Sequence, residues 1–213
     1  MTRATDGRRA RSERTRATIV VGATRRFLAH GYVGSTIEDV AEEAGVSVQS
    51  VYYVFGTKPK LLAAVLDAAI AGDADAVAIA ERPWVDALRS STDAESAVRV
   101  LAEAAVEIVT RTAPIYEVVR RASADGDVDA LLNETRRRRR LDQRRFVQIL
   151  AEIGYLRAEL DVRAAADVVY ALVNEEIVGL LVNDCGWSRR RLREWVTEVL
   201  IDQLVRGPAA KSS

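Results

Sequence analysis

Between Glu13 and His30 the apolar residues Ile19, Val20, Ala23, Phe27 and Leu28 recur three and four positions apart, the spacing of one helical face, and Gly31 closes the stretch. A second run, Ile37, Val40, Ala41 and Ala44, is entered through Ser35-Thr36-Ile37-Glu38. This reads as a capping box in which the Ser35 hydroxyl holds a backbone N–H and Glu38 reaches back. Gly45 ends that helix, Val46 turns inward, Ser47 caps a third helix over Val48–Phe55, and Gly56 stops it. Thr57 opens a fourth helix carrying Leu61, Leu62, Val65, Leu66 and Ile70 to about Gly72. Two short helices joined by a tight turn at Gly45, with the first helix as the third side of a core, form a helix-turn-helix.

Residues 73–91 lack a long stripe and contain Pro83, which predicts a loop with a short helix around Trp84 to Leu88. Thr92-Asp93-Ala94-Glu95 is a second capping box, opening a helix that ends near Thr112 because Pro114 breaks it. A short helix from Ile115 to Ala124, an Asp125-Gly126-Asp127 turn and a long helix from Val128 to Ile153 follow. Asp161 caps a helix whose apolar residues continue through Val173 and Ile177 to Leu181; Ser188 caps the last, with Leu192, Trp195, Val196, Leu200 and Leu204 before Gly207. These final helices, about 163–184 and 188–206, are apolar on more than one side, which predicts that each faces its own domain and a second copy of the chain.

Composition agrees with an all-α chain: Ala, Leu, Val, Glu and Arg dominate, 49% of residues are apolar, and aromatics are few. The net charge of zero conceals an asymmetry. Residues 1–26 hold eight arginines, Arg14 among them, against Asp6 and Glu13, as expected of a segment that meets phosphate backbones. Residues 1–12 alone read equally well as a disordered arm. Cys185 and His30 are the only residues of their kinds, so no internal disulfide or zinc site is expected, and no cofactor is implied. The apolar stretch Ala17 to Ala23 is too short and too closely followed by arginine for a signal peptide. No run approaches the roughly 20 apolar residues of a membrane span, so a cytoplasmic protein is expected. An enzyme is disfavoured: there is no Gly-rich phosphate loop, no metal cluster and no nucleophile beside a histidine.

The stretch Ile19, Ala23, Phe27, Gly31, then Thr36-Ile37-Glu38-Asp39-Val40-Ala41-Glu42-Glu43-Ala44-Gly45-Val46-Ser47, then Val51-Tyr52-Tyr53-Val54-Phe55 and Lys58 resembles the N-terminal domain of the TetR family of transcriptional regulators. The third helix offers Val48, Gln49, Ser50 and Tyr53 toward a major groove. Gln49 is the expected principal base reader, through adenine, and Val48 can meet a thymine methyl. Ser47 and Thr36 stand at helix N-termini, where N–H groups and hydroxyls grip phosphate. The resemblance implies that Thr36, Tyr52 or Tyr53, and Lys58 clamp the DNA backbone, although Tyr52 also reads as a core ring packed on the first helix. The sequence departs from the commoner family pattern at Val48-Gln49 and at Pro59-Lys60.

The resemblance further implies a repressor whose C-terminal helices bind a small-molecule inducer. Trp84, Tyr116, Phe146, Tyr155, Tyr170 and Asn174 are its candidate lining. The run Arg136 to Arg140 surrounds its helix at about 100° per residue. It either pairs with acids such as Glu134 and Asp142 or sends Arg137 or Arg140 inward toward an anionic ligand. Glu175 and Glu176 face either a cationic ligand or a salt-bridge partner across a dimer. The expected organisation is therefore a disordered basic arm (1–12), a three-helix helix-turn-helix DNA-binding domain (13–57), a helical ligand-binding and dimerisation domain (58–207) and a tail (208–213). The expected partners are a double-stranded DNA operator, a second copy of the chain and an unidentified inducer. A DNA-binding regulator without a small-molecule ligand is the alternative.

Overall fold

The computed structural model describes residues 3–72 and 82–206, apart from the side chains of residues 3–6, 8 and 9. Among them all regular elements are helical: α1 Arg3–His30, α2 Ile37–Ala44, α3 Val48–Phe55, α4 Lys58–Ala71, α5 Pro83–Arg89, α6 Ala94–Arg121, α7 Gly126–Glu152, α8 Val162–Leu172, α9 Glu175–Val178 and α10 Arg189–Ile201. The expected loop over 73–81 and tail over 208–213 lie outside the described residues. No helix among those described is long and apolar enough to cross a membrane.

The described residues fall into two compact units. One holds those up to Gly72 together with Pro114–Asn133; the other holds 82–113 and those from Glu134 onward. In the first, Ile19 and Phe27 of α1, Val40 of α2, Val51 and Phe55 of α3 and Leu61 and Leu62 of α4 share a core with Ile115, Tyr116 and Val119 of α6 and Val128 and Leu132 of α7. That unit thus extends past residue 57, through α4 and the turn between α6 and α7. In the second, Leu88, Val98, Leu101, Val147, Leu150, Ala165, Leu192 and Leu200 form a separate core.

Five local expectations are corrected. Residues 3–12, expected as a disordered arm, belong to α1. The first helix-turn-helix cap is Thr36 with Asp39, one residue beyond the expected Ser35 and Glu38. Asp39 N donates to Thr36 Oγ1 at 3.1 Å, and Thr36 N donates to Asp39 Oδ2 at 2.8 Å. The Ser35 hydroxyl is instead consumed by Gly31 O at 2.7 Å. The second box shifts likewise to Asp93, whose carboxylate accepts from Ser96 N at 2.8 Å.

Pro114, expected to end a helix, lies inside α6. A helix-interior proline costs about 3 kcal/mol, whereas each large apolar side chain removed from water contributes about 1.5–3 kcal/mol. Val106 and Val109 before it and Ile115, Tyr116 and Val119 after it are all buried, so packing on both sides outweighs one lost backbone bond. In the opposite sense, the helix expected to run through to Leu181 stops at Leu172. Asn174 Nδ2 donates to Tyr170 O at 3.3 Å and to Ala171 O at 2.9 Å, and Asn174 Oδ1 accepts from Ile177 N at 2.9 Å. A single amide side chain thereby ends α8 and starts α9, the local competition that makes asparagine a poor helix-interior residue. A π-helical stretch, Gly179–Asp184, follows.

Candidate DNA-binding and ligand-binding sites

The turn between α2 and α3 is closed by Gly45, whose φ of 65° is left-handed and favours glycine. Val46 N donates to Ala41 O at 3.0 Å across it. This fixes the start of α3, where Ser47 caps: its Oγ accepts from Ser50 N at 3.2 Å and lies 2.8 Å from Ser50 Oγ. Val51 and Phe55 anchor α3 in the core while Gln49 is exposed and Tyr53 is 90% exposed. Val48, expected to face outward, is only partly exposed and packs on the core. Tyr52 is 49% exposed, so the core-ring reading of that residue is not what the structure shows. Arg14 is exposed on α1.

Thr36 uses its oxygen as an acceptor within the cap, which leaves its hydroxyl proton available to a phosphate. The Thr36 backbone bond, with the Thr36 side chain and Arg26 adding to it, holds the Asp39 carboxyl below its usual range; Arg26 Nη2 lies 3.1 Å from Asp39 Oδ2. Lys58, expected on a phosphate, stands with its Nζ 4.1 Å from the Tyr32 ring centre. Burial lowers its pKa, and Asp125 and Asp39 oppose that shift. The Arg16 guanidinium over Phe55, at 4.7 Å, is a further contact that periodicity could not reveal.

Tyr32 is 6% exposed, and burial, reinforced by the charges of Asp125 and Asp127, pushes its phenol from 10.0 up to about 12. An unfolded phenol releases its proton near 10 while the folded one keeps it. The stability carried by the neutral form is therefore intact below about pH 10 and is lost as pH rises toward 12. Tyr32→Phe should remove this alkaline loss, read as a smaller fall in unfolding midpoint between pH 9 and 11 than in the parent chain, at about those values. An equal fall in both would mean that Tyr32 ionises freely.

In the second unit the expected lining residues are only partly brought together. Trp84 and Phe146 meet edge to face at 4.5 Å, Tyr155 Oη donates to Ser91 O at 3.2 Å, and Asn174 is used as the cap described above. Tyr116 is buried in the core of the other unit. Arg137 is exposed and paired with Glu134 at 2.8 Å; Arg138 binds the same carboxylate at 2.8 Å. These hydrogen bonds, Arg137's foremost, hold Glu134 down to about 2. Arg140 is exposed, 5.6 Å from the Tyr170 ring centre. Asp142 faces Arg145 at 3.3 Å; burial raises its pKa, and the charges of Arg145 and of Arg138 in the arginine run oppose that shift.

The arginine that turns inward is Arg139. Its side chain is 14% exposed and bonded to the Glu175 carboxylate, and it lies 4.7 Å from the Tyr170 ring centre. Thr112 Oγ1 donates to the other Glu175 oxygen at 3.1 Å, and Gln143 Nε2 donates to Val173 O at 3.3 Å. Glu176 is exposed and faces Arg136 at 3.9 Å. Both glutamates thus have arginine partners within the chain. Arg139, Gln143 and Thr112 were missed among the candidate residues. The signal for Arg139 existed, since it lies seven residues from both Leu132 and Phe146 on the buried stripe of α7.

Two short capped helices, the second anchored by Val51 and Phe55 and presenting Gln49 and Tyr53 on its outer side, form a helix-turn-helix. The family described as "Bacterial regulatory proteins, tetR family" matches residues 19–65, so the segment holding α2 and α3 is the DNA-binding part of a TetR-family transcriptional regulator. It is 28% identical over 215 residues to the probable HTH-type transcriptional regulator ArpR of Pseudomonas putida, covering 94% of this chain and 96% of that one. The fold is similar to that of the regulator FadR from Bacillus subtilis in complex with stearoyl-CoA, with a TM-score of 0.68 and 17% identity over 87% of this chain and 97% of that one. It is also similar to NalD, the secondary repressor of the MexAB-OprM multidrug efflux pump in Pseudomonas aeruginosa, with a TM-score of 0.66 and 19% identity over 92% of this chain and all of that one. The family is one of DNA-binding regulators and not of enzymes.

Proposed function

We propose that the chain is a cytoplasmic repressor that binds a palindromic operator as a homodimer and releases it when a small molecule binds its C-terminal helices. In this reading residues 13–57 read DNA, and 58–207 bind the ligand and dimerise through 163–184 and 188–206. The observation that carries it is α3 itself: Val51 and Phe55 fix the helix from below while Gln49 and Tyr53 stand free on the other side. Gln49 reads adenine. Val48 contributes at its exposed edge, and Thr36, Ser47, Ser50, Tyr52, Tyr53 and Arg14 hold the backbone. Lys58 joins them by leaving the Tyr32 ring. Leu180, half exposed on the penultimate segment, supports a covered face there. Repression follows the likeness to NalD, a secondary repressor of an efflux pump, and ligand response follows the likeness to FadR in complex with stearoyl-CoA.

The test is selection of bound fragments from random duplex DNA by the full chain and by Gln49→Ala. A palindrome with half-sites about 34–36 Å apart is expected. The variant should lose adenine preference at one position per half-site, at about 1–3 kcal/mol. Identical preferences in both proteins would remove Gln49 as the reader, and no enriched sequence would leave only salt-sensitive attraction by the basic segment.

A further inference from the structure

Glu175 is 8% exposed in the interior of the second unit. Its carboxylate meets Thr112 and the Arg139 guanidinium, which also covers the Tyr170 ring. One turn further along the same face of α7, Gln143 is 9% exposed, and its Oε1 is buried without a hydrogen-bond partner. A carboxylate, a ring face and an unused amide oxygen are all electron-rich, and each attracts a cation with N–H donors. The cation that now meets the first two is the protein's own. Stability alone does not call for this arrangement, because buried ion pairs are often matched or bettered by apolar residues of the same volume. The backbone is irregular here as well, with α8 and α9 interrupted at Asn174 and a π-helical stretch following, a feature that gathers at functional sites.

We propose that this cluster is the binding site for an organic cation with N–H donors and an apolar body, an amidine, guanidine or amine, and that Arg139 occupies it as an internal stand-in. The ligand head lies between Glu175 and Tyr170 and donates to Gln143 Oε1, while Arg139 turns out to solvent beside Arg140. The tethered guanidinium competes at high effective concentration, so a bare head group binds weakly and the apolar body supplies the remaining affinity. The proposal rests on the ligand-responsive reading above and names its ligand class.

Benzamidine is the probe, with benzamide and benzoate as neutral and anionic isosteres, measured on the full chain by calorimetric titration and thermal melting. Benzamidine should bind and raise the melting temperature, and the other two should not. Arg139→Met, which removes the competitor, should bind benzamidine about tenfold more tightly or better. Glu175→Gln, which keeps a partner for Thr112 and loses the charge, should lose the response. Should either single variant fail to fold, the uncharged Arg139→Met/Glu175→Gln protein replaces it and should ignore benzamidine. Equal binding of benzamide, or benzamidine binding no tighter in the Arg139→Met protein than in the parent, overturns the assignment. The titration contains no DNA, so its failure is separate from failure of the regulator reading. An operator released by neutral or anionic compounds but not by benzamidine would overturn the cation and leave ligand-responsive regulation standing.

Discussion

Glu175→Ala is expected to lower unfolding stability by about 3–5 kcal/mol, because it leaves the guanidinium of Arg139 buried without its carboxylate. The geometry decides the size. An exposed ion pair contributes at most about 1 kcal/mol, but here the two side chains are 14% and 7% exposed, so without Glu175 the guanidinium either stays desolvated or leaves the interior and empties the volume that it filled. Replacing both residues with apolar ones, Arg139→Met with Glu175→Leu, should recover most of the loss, since neither charge then has to be desolvated. Urea unfolding of the parent, both single variants and the double variant gives the coupling directly, provided the slope with denaturant is unchanged. A loss below about 1 kcal/mol in Glu175→Ala would mean that the pair is solvated.

Gly22→Leu is the second large effect. Gly22 is buried on α1, and a Cβ there would stand 2.8 Å from Ala44 Cβ and 3.0 Å from both Ala44 Cα and its backbone nitrogen. Two opposing terms apply. Leaving glycine inside a helix costs about 1 kcal/mol relative to alanine, while overpacking a tight contact costs about 1–3 kcal/mol. Backbone atoms cannot step aside as a flexible side chain can, so the clash wins, and leucine, with three further carbons, should cost about 3 kcal/mol or more. Ala44 ends α2 one residue before the Gly45 turn, so the displacement also reaches α3, and operator affinity should fall with stability. Gly7 lies on the same helix with nothing within 4 Å of a Cβ. Gly7→Ala should therefore gain up to about 1 kcal/mol. If thermal melts of the two variants moved in the same direction, the α1–α2 contact would not be the cause.

The helix-turn-helix was legible because its signals are local and agree with one another: an apolar stripe, a capping hydroxyl and a glycine at each end. Even so, the capping hydroxyl fell on Thr36 rather than Ser35, since adjacent hydroxyls differ only in which is extended, and Ser35 is used by Gly31 O. Pro114 and Asn174 show why the rest was harder. Proline is a strong local breaker and asparagine a weak one, yet α6 continues through Pro114 while the chain breaks at Asn174. In the first case buried neighbours on both sides override the local cost; in the second a side chain satisfies both helix ends at once. Arg137 and Arg140 were chosen by charge alone, although the phase of α7, carried back from Phe146, selects Arg139. Tyr116 lies in the other core because only the tertiary packing assigns the second half of α6 to the first unit.

That assignment has a bearing on biosynthesis. The first unit is discontinuous, made of α1 to α4 and of residues 114–133, and its core includes Ile115, Tyr116, Val119, Val128 and Leu132. As the polypeptide leaves the ribosome, the DNA-reading helices emerge first but cannot complete their hydrophobic interior until residue 133 has been made. A truncated product ending after α4 would present the faces of Phe27, Leu61 and Leu62 with part of their cover missing, and would be a substrate for chaperones or proteases rather than a competitor for the operator.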